Sequence, residues 1–168
     1  MIVISDIDGT VCLSIFKNDG SQDQHSSGFQ KALFDVPIMA WVINVIKVFQ
    51  QARAVIFITG RGVHLNTITT MWVSKNLGIN DFRIVNVGFE NYQQYLTDKK
   101  ARLDDAITEC VACRLAPLEM IHVLEDDPAI LDWLVAKAPE LDAFMVHAIK
   151  DGKHRIAFPI SKHQTRQS

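Results

Sequence analysis

Short apolar runs recur along this 168-residue chain with room for a helix between them, and each of the first four stops abruptly on polar residues. Ile2–Asp6, 53–59 (RAVIFIT), 82–87 (FRIVNV), 120–124 (MIHVL) and 143–149 (AFMVHAI) read as buried strands. Continuous apolar runs of this length, bounded by turn signals, suit strands covered on both faces. Between them the apolar residues shift to helical spacing. PIMAWVINVIKVFQQ places Ile38, Trp41, Val42, Val45, Ile46 and Phe49 at that spacing, with Pro37 in the first turn. Gly62–Leu77 reads as a helix stopped by Gly78, and Thr97–Cys113 as one with Leu103, Ala106, Ile107 and Cys110 on one face. PAILDWLVAKA reads as a helix opened by Pro128. Residues 13–36, around KNDGSQDQHSSG, are polar and irregular and read as a loop. KDGK can turn the fifth strand into a hairpin with HRIAFPI, since Asp-Gly is a strong hairpin signal.

Strands alternating with helices imply an α/β fold: a Rossmann-like parallel sheet, right-handed crossovers and helices on both faces. The length suits one domain, expected over residues 1–150 with a small insertion at 11–36 after the first strand. Residues 151–168 are expected to form a basic C-terminal extension. From Lys150 onward five cations face Asp151 alone, whereas the whole chain carries a net charge of -2. That near-neutral balance argues against a dedicated nucleic-acid coat or a membrane-surface protein. No apolar run approaches the roughly 20 residues needed to span a bilayer. MIVIS is too short for a signal-peptide apolar region, so the expected location is cytoplasmic. Cys110 and Cys113 form a C-x-x-C late in a helical pattern without a second metal-binding pair, and read as helix residues.

In parallel α/β sheets ligands bind beyond the carboxyl ends of the strands. Asp6 and Asp8 follow the first strand, and Thr59, Gly60 and Arg61 close the second. Lys99 and Lys100 open the helix after the third, and Glu125, Asp126 and Asp127 follow the fourth. Two carboxylates one residue apart disfavour each other's ionisation unless a cation compensates. Mg²⁺ takes oxygen ligands, and Asp6, Asp126 and the backbone carbonyl of Asp8 can fill part of its octahedron. A hydroxyl where a helix begins suits phosphate oxygens, and a lysine supplies a point charge. Phosphoryl transfer needs mainly such positioning and charge neutralisation. Each piece has an ordinary reading by itself: a loop Asp-x-Asp, a helix-capping threonine, solvated lysines, an acidic helix start. All four occur in order, each at its strand end or helix start, and the conjunction points to a phosphate site beside a metal.

DIDGTV, VIFITGR, the lysine of TDKK and VLEDDP resemble the four motifs of the haloacid dehalogenase superfamily. The resemblance covers residues 1 to about 147. Within the superfamily, DVPIMAWVINVIKVF, the arginine of TGR and TITTMWVSKNLGI look like the phage-type phosphatase domain of polynucleotide kinase-phosphatases and its stand-alone relatives. By this resemblance Asp6 is the nucleophile and a Mg²⁺ ligand, and Asp8 is general acid and then base. Thr59 and a lysine orient the phosphoryl group, with Lys99 preferred and Lys100 the alternative. Asp126 binds the metal, with Glu125 or Asp127 in support. Gly9, Thr10, Gly60, Arg61 and Lys100 are expected around the phosphate. The commonest relatives carry arginine after the acidic pair, where Asp127 stands in this chain.

The resemblance implies a Mg²⁺-dependent phosphomonoesterase acting through an aspartyl-phosphate. With a minimal cap or none, an open site suits nucleotides or polynucleotide 3′-phosphate ends. Arg61 and Trp72 can contact such a substrate, although Trp72 also fits the apolar pattern of its helix. The alternatives are a small-molecule phosphatase or (deoxy)nucleotidase and, from another class, a non-catalytic phosphate-binding regulatory module. The oligomeric state is not legible.

Overall fold

A computed structural model describes residues 1–16, 22–88, 91–113, 119–138, 141, 144–150 and 153–157. Six strands form one sheet: β1 (Ile2–Ser5), β2 (Ala54–Thr59), β3 (Arg83–Asn86), β4 (Ile121–Glu125), β5 (Phe144–Lys150) and β6 (Lys153–Ala157). Their order is β3-β2-β1-β4-β5-β6. The first five are mutually parallel, and β6 pairs antiparallel with β5 at one edge. The helices are α1 (Ser27–Asp35), α2 (Ala40–Gln51), α3 (Asn66–Leu77), α4 (Tyr92–Ala112) and α5 (Pro128–Lys137). The architecture is the Rossmann-like α/β arrangement expected.

Strand alternation divides the core into two layers. Ile2, Ile4, Ile56, Ile58, Ile121 and Val123 pack against α4 and α5 through Leu103, Ile107, Ile130 and Leu134. Val3, Val55, Phe57 and Leu124 face the other way, onto Trp41, Val42 and Phe49 of α2 and Trp72, Val73 and Leu77 of α3. Burial on both faces is why these strands read as unbroken apolar runs. Trp72 is a core residue: it is fully buried, and its indole N–H donates to the Val36 carbonyl at 2.7 Å. No helix among the described residues is long and apolar enough to cross a membrane.

Four boundaries differ from the sequence reading. The 13–36 stretch contains α1, capped by Ser26, whose hydroxyl accepts the Phe29 N–H at 3.2 Å. Pro37 lies outside α2, because residues 36–39 run extended: Ile38 bridges to Cys12, and the Met39 N–H bonds the Val11 carbonyl. The helix expected from Gly62 begins as a short 3₁₀ turn at Val63–Leu65 and becomes α-helical at Asn66. It stops at Gly78, which adopts the left-handed conformation with φ +66°. Finally, α4 starts five residues before Thr97, capped by Asn91, which accepts the Gln94 N–H at 2.9 Å.

β6 continues the sheet beyond residue 150, in the stretch read as a C-terminal extension. The turn expected at Asp151 and Gly152 and the basic residues Lys162 and Arg166 lie outside the described residues. Cys12 and Cys110 are buried and Cys113 is exposed, all as free thiols.

Because β1 is followed by β2 on one side and paired with β4 on the other, the chain direction across the sheet reverses between β1 and β4. Carboxyl-end ligand crevices form at such a switch point.

Candidate functional site

Asp6 leaves β1 at this crevice, and its backbone N–H bonds the Leu124 carbonyl of β4 at 3.0 Å, holding the two strand ends together. Glu125, the last residue of β4, is 1% exposed, and Asp126 follows it. One carboxylate oxygen from each of Asp6, Glu125 and Asp126 lies within 4.8 Å of the others.

Lys99 enters this acidic pocket from α4. It is 1% exposed; its ammonium lies 3.3 Å from Asp6 and 2.9 Å from Glu125, and it donates to the Tyr95 hydroxyl at 2.7 Å. It is Lys99, not Lys100, that makes these contacts; the Lys100 side chain is half-buried one position further along α4. Glu125 also accepts the backbone N–H groups of Asp126 and Asp127, each at 3.1 Å. Asp127 plays a different part. Its carboxylate caps α5 by accepting the Ala129 N–H at 2.9 Å, and the Tyr92 hydroxyl donates to it at 3.0 Å. Of the EDDP stretch, Glu125 and Asp126 therefore face the pocket and Asp127 starts the helix.

The loop after Asp6 folds over the acidic trio. Thr10 donates to Asp126 at 2.8 Å and lies 3.5 Å from Asp6. Gly9 has φ +87°, and a Cβ at this position would fall 2.1 Å from the Asp126 carboxylate. Only glycine allows both that conformation and that approach.

Three carboxylates beside one ammonium leave an excess of negative charge in a desolvated pocket. Burial, aided by Glu125 and Asp8 and opposed by Lys99, pushes the Asp6 carboxyl up to about 7. Burial and the Asp6 charge push Asp126 up to about 6, and burial likewise raises Glu125. Burial opposes the charge on Lys99, but Asp6 and Glu125 outweigh it and hold the ammonium well above its usual range. A hard divalent cation would relieve the same imbalance, and a donor set made of carboxylate oxygens suits Mg²⁺. The residues present therefore fit the metal expected from the sequence, with Glu125 as an additional oxygen donor.

Asp8 does not turn its side chain to the trio. Arg61 donates to both of its oxygens, from Nε and Nη2, each at 2.8 Å. The guanidinium is fully buried, with Thr69 and the Cys12 sulfur at 3.2 and 3.4 Å and the Phe16 and Trp72 rings around it. Arg61 thus grips Asp8 from inside the protein and does not point outward as a ready substrate contact. Thr59 is buried at the end of β2, and its hydroxyl accepts the Arg61 backbone N–H at 3.2 Å. It precedes the 3₁₀ turn and does not cap α3. Gly60 is exposed, and a Cβ there would meet the Tyr95 ring at 3.3 Å.

No protein-family model matches the chain, and no protein with a curated description matches it in sequence. Its fold is shared with a chain of an RNA repair complex. That chain belongs to a structure described as the Pnkp1/Rnl/Hen1 RNA repair complex; the likeness has a TM-score of 0.50 at 18% identity, over 89% of this chain and 43% of that one. A second structure of the Pnkp1/Rnl/Hen1 complex gives 0.49 at 17% identity, over 89% and 46%. The protein spans less than half the length of the chains it matches.

Tyr95, Tyr92 and Thr69 escaped the sequence reading. Tyr95 stands four residues before Lys99, the spacing that places two side chains on one helix face. Starting α4 at its Asn91 cap would have exposed that relationship.

Proposed function

We propose that the protein is a Mg²⁺-dependent phosphomonoesterase that works through an aspartyl-phosphate on Asp6. The observation that carries this reading is Lys99, whose single ammonium stands 3.3 Å from Asp6 and 2.9 Å from Glu125 inside a buried acidic pocket. A carboxylate, a fixed cation and further oxygen donors at a strand-end crevice meet the needs of phosphoryl transfer. Resemblance to the haloacid dehalogenase motifs supports the same roles.

Asp6 attacks phosphorus, and the bond from phosphorus to the ester oxygen breaks. Asp8, two residues along the loop, gives a proton to the departing alkoxide, a role that requires it to turn from Arg61, which holds both its oxygens in the resting site. A water then attacks the phosphorus of the aspartyl-phosphate, Asp8 takes its proton, and inorganic phosphate leaves with Asp6 regenerated. Lys99 orients Asp6 and neutralises charge on the transferring group. Asp6, Glu125 and Asp126 would hold Mg²⁺, which supplies further neutralisation of the phosphoryl oxygens. Thr59, Gly60, Gly9 and Thr10 shape the loops around the phosphate.

The substrates proposed are nucleotides or polynucleotide 3′-phosphate ends. The fold likeness to a chain of an RNA repair complex favours nucleic-acid ends over sugar phosphates. The test is a phosphatase panel of 3′-phosphorylated oligonucleotides, 3′- and 5′-nucleotides and sugar phosphates, with Mg²⁺ and with chelator. Hydrolysis of the oligonucleotide that stops on chelation is expected. Activity confined to sugar phosphates would move the assignment to small metabolites, and no hydrolysis anywhere would favour a phosphate-binding module.

A further inference from the structure

Three half-buried histidines stand in a row across neighbouring strands, on the sheet face that packs against α2. The Nδ1 of His122 on β4 lies 2.8 Å from the Nε2 of His147 on β5. The Nδ1 of His147 lies 2.7 Å from the Nε2 of His154 on β6. Ring centroids are 5.0 Å apart at both steps, with planes inclined by 34° and 15°. Two ring radii take up nearly all of the distance beyond the N···N gap, so the nitrogens face each other along the line of centres. That is hydrogen-bond geometry. Lone pairs aimed at one another do not converge on a shared metal ion.

The row reaches the crevice through Trp41. Its ring lies 4.9 Å from that of His154, nearly parallel, and its indole N–H donates to the Thr10 carbonyl at 3.1 Å. Thr10 in turn donates to Asp126.

Proton counting limits what the row can hold, whichever tautomers it uses. It has six ring nitrogens, four of them in the two facing pairs. Each facing pair needs one proton to make its bond, and each outer nitrogen can take one more. The neutral row fills both pairs and one outer nitrogen. A first added proton takes the other outer nitrogen and leaves both bonds intact. A second must enter a facing pair, setting N–H against N–H, and that contact breaks.

We infer that His122, His147 and His154 form an acid-sensitive latch that fastens the edge strand β6 beside Trp41 and opens when the row takes up its second proton. Among the described residues β6 is an edge strand paired only with β5, so it can leave without breaking any other strand pairing. The charges around the row discourage added protons. The Met1 ammonium, at the head of β1, lies close enough to depress His122 and is itself paired with Glu119. Lys47 lies on α2, the helix packed on the same sheet face, and Lys150 on β5 and Lys153 and Arg155 on β6 are nearby in sequence or register; all four are exposed cations. Glu125, at the end of β4, is engaged with Lys99. Burial lowers all three imidazoles, and their mutual repulsion adds to it for His147. Coupling of the latch to catalysis, through Trp41 and Thr10, rests on the function proposed above; the latch itself does not.

The test is amide hydrogen exchange of the full chain at about pH 7.5 and about pH 5, corrected for intrinsic rates. Protection of Lys153–Ala157, relative to β1 and β2, is expected to fall at low pH by about tenfold or more, the factor for one pKa unit. His154→Gln, which bonds without titrating, should flatten that fall. An unchanged protection ratio in the natural protein, or an equal fall in the variant, would overturn the latch. If the variant does not fold, nitrogen–nitrogen scalar couplings in histidine-labelled natural protein decide. Couplings from His122 to His147 and from His147 to His154 are expected at the higher pH, and their absence there sinks the proposal. Neither readout uses a substrate, so failure of the latch and failure of the phosphatase assignment remain distinguishable.

Discussion

Arg61 holds both oxygens of Asp8 at 2.8 Å, and it does so as a fully buried cation. The pair sets the resting position of the side chain assigned as proton donor and acceptor. Arg61→Ala would leave Asp8 facing a cavity without its partner, and breaking a buried pair in this way costs about 3–5 kcal/mol. Chemical denaturation should show that loss, and kcat should fall with it. Arg61→Lys keeps the charge but loses the fork, so it should recover part of the stability and less of kcat. Full stability in Arg61→Ala would show that the pair does not hold the loop.

Lys99 and Lys100 are adjacent but differently placed. Lys99→Ala should lower kcat by about a hundredfold or more, as expected for loss of a preorganised charge, while Lys100→Ala should stay close to the natural rate. Steady-state kinetics on one substrate compares them directly. Equal small losses would remove both from the site.

Gly9→Ala should be the most damaging single-methyl change in the loop. The new Cβ would sit 2.1 Å from the Asp126 carboxylate, on a backbone with φ +87°. Backbone strain of this kind costs about 1–3 kcal/mol, and Asp126 must also move. Thermal unfolding and activity should both report it; a variant with natural Tm and turnover would mean that the loop does not lie against Asp126.

Acid should weaken the fold before the carboxylates are considered. Burial, with His122 and His154 adding to it, pushes His147 down from 6.5 to about 3. Between those values the unfolded chain binds a proton that the folded chain does not. Stability is therefore full above the unfolded value and declines as pH falls towards the folded one. At about pH 5 the loss from this group is about 2 kcal/mol. Urea unfolding midpoints against pH measure it, and His147→Phe should reduce the slope.

β1, β2 and β4 were legible because they are buried on both faces, which leaves apolar runs ending where the chemistry begins. Asp6 and Asp8, the lysine pair at 99 and 100 and the acidic run 125–127 could be placed at one crevice from the alternation of strands and helices; the preference for Lys99 and Asp126 within those sets rested on the resemblance to the haloacid dehalogenase motifs. Helix starts were less legible. Ser26 and Asn91 are ordinary polar residues until their side chains accept the Phe29 and Gln94 N–H groups. Only Leu33 of α1 is fully buried, too little to show a helical period. Pro37 suggested a helix start, but the segment around it is drawn into contact with the β1 loop at Cys12. The inward direction of Arg61 depends on Asp8, fifty-three positions away, and on a cavity closed by Trp72 and Phe16. The histidine row depends on the register of β4, β5 and β6, which no local pattern encodes.

The central claim is that Asp6 becomes covalently phosphorylated. Acid quenching during turnover of a substrate carrying labelled phosphate, followed by peptide mapping, measures this directly. The account predicts label on the peptide containing Asp6, and neither label nor turnover in Asp6→Asn. An Asp6→Asn protein that turns over at the natural rate, with no label on the natural enzyme, would contradict it.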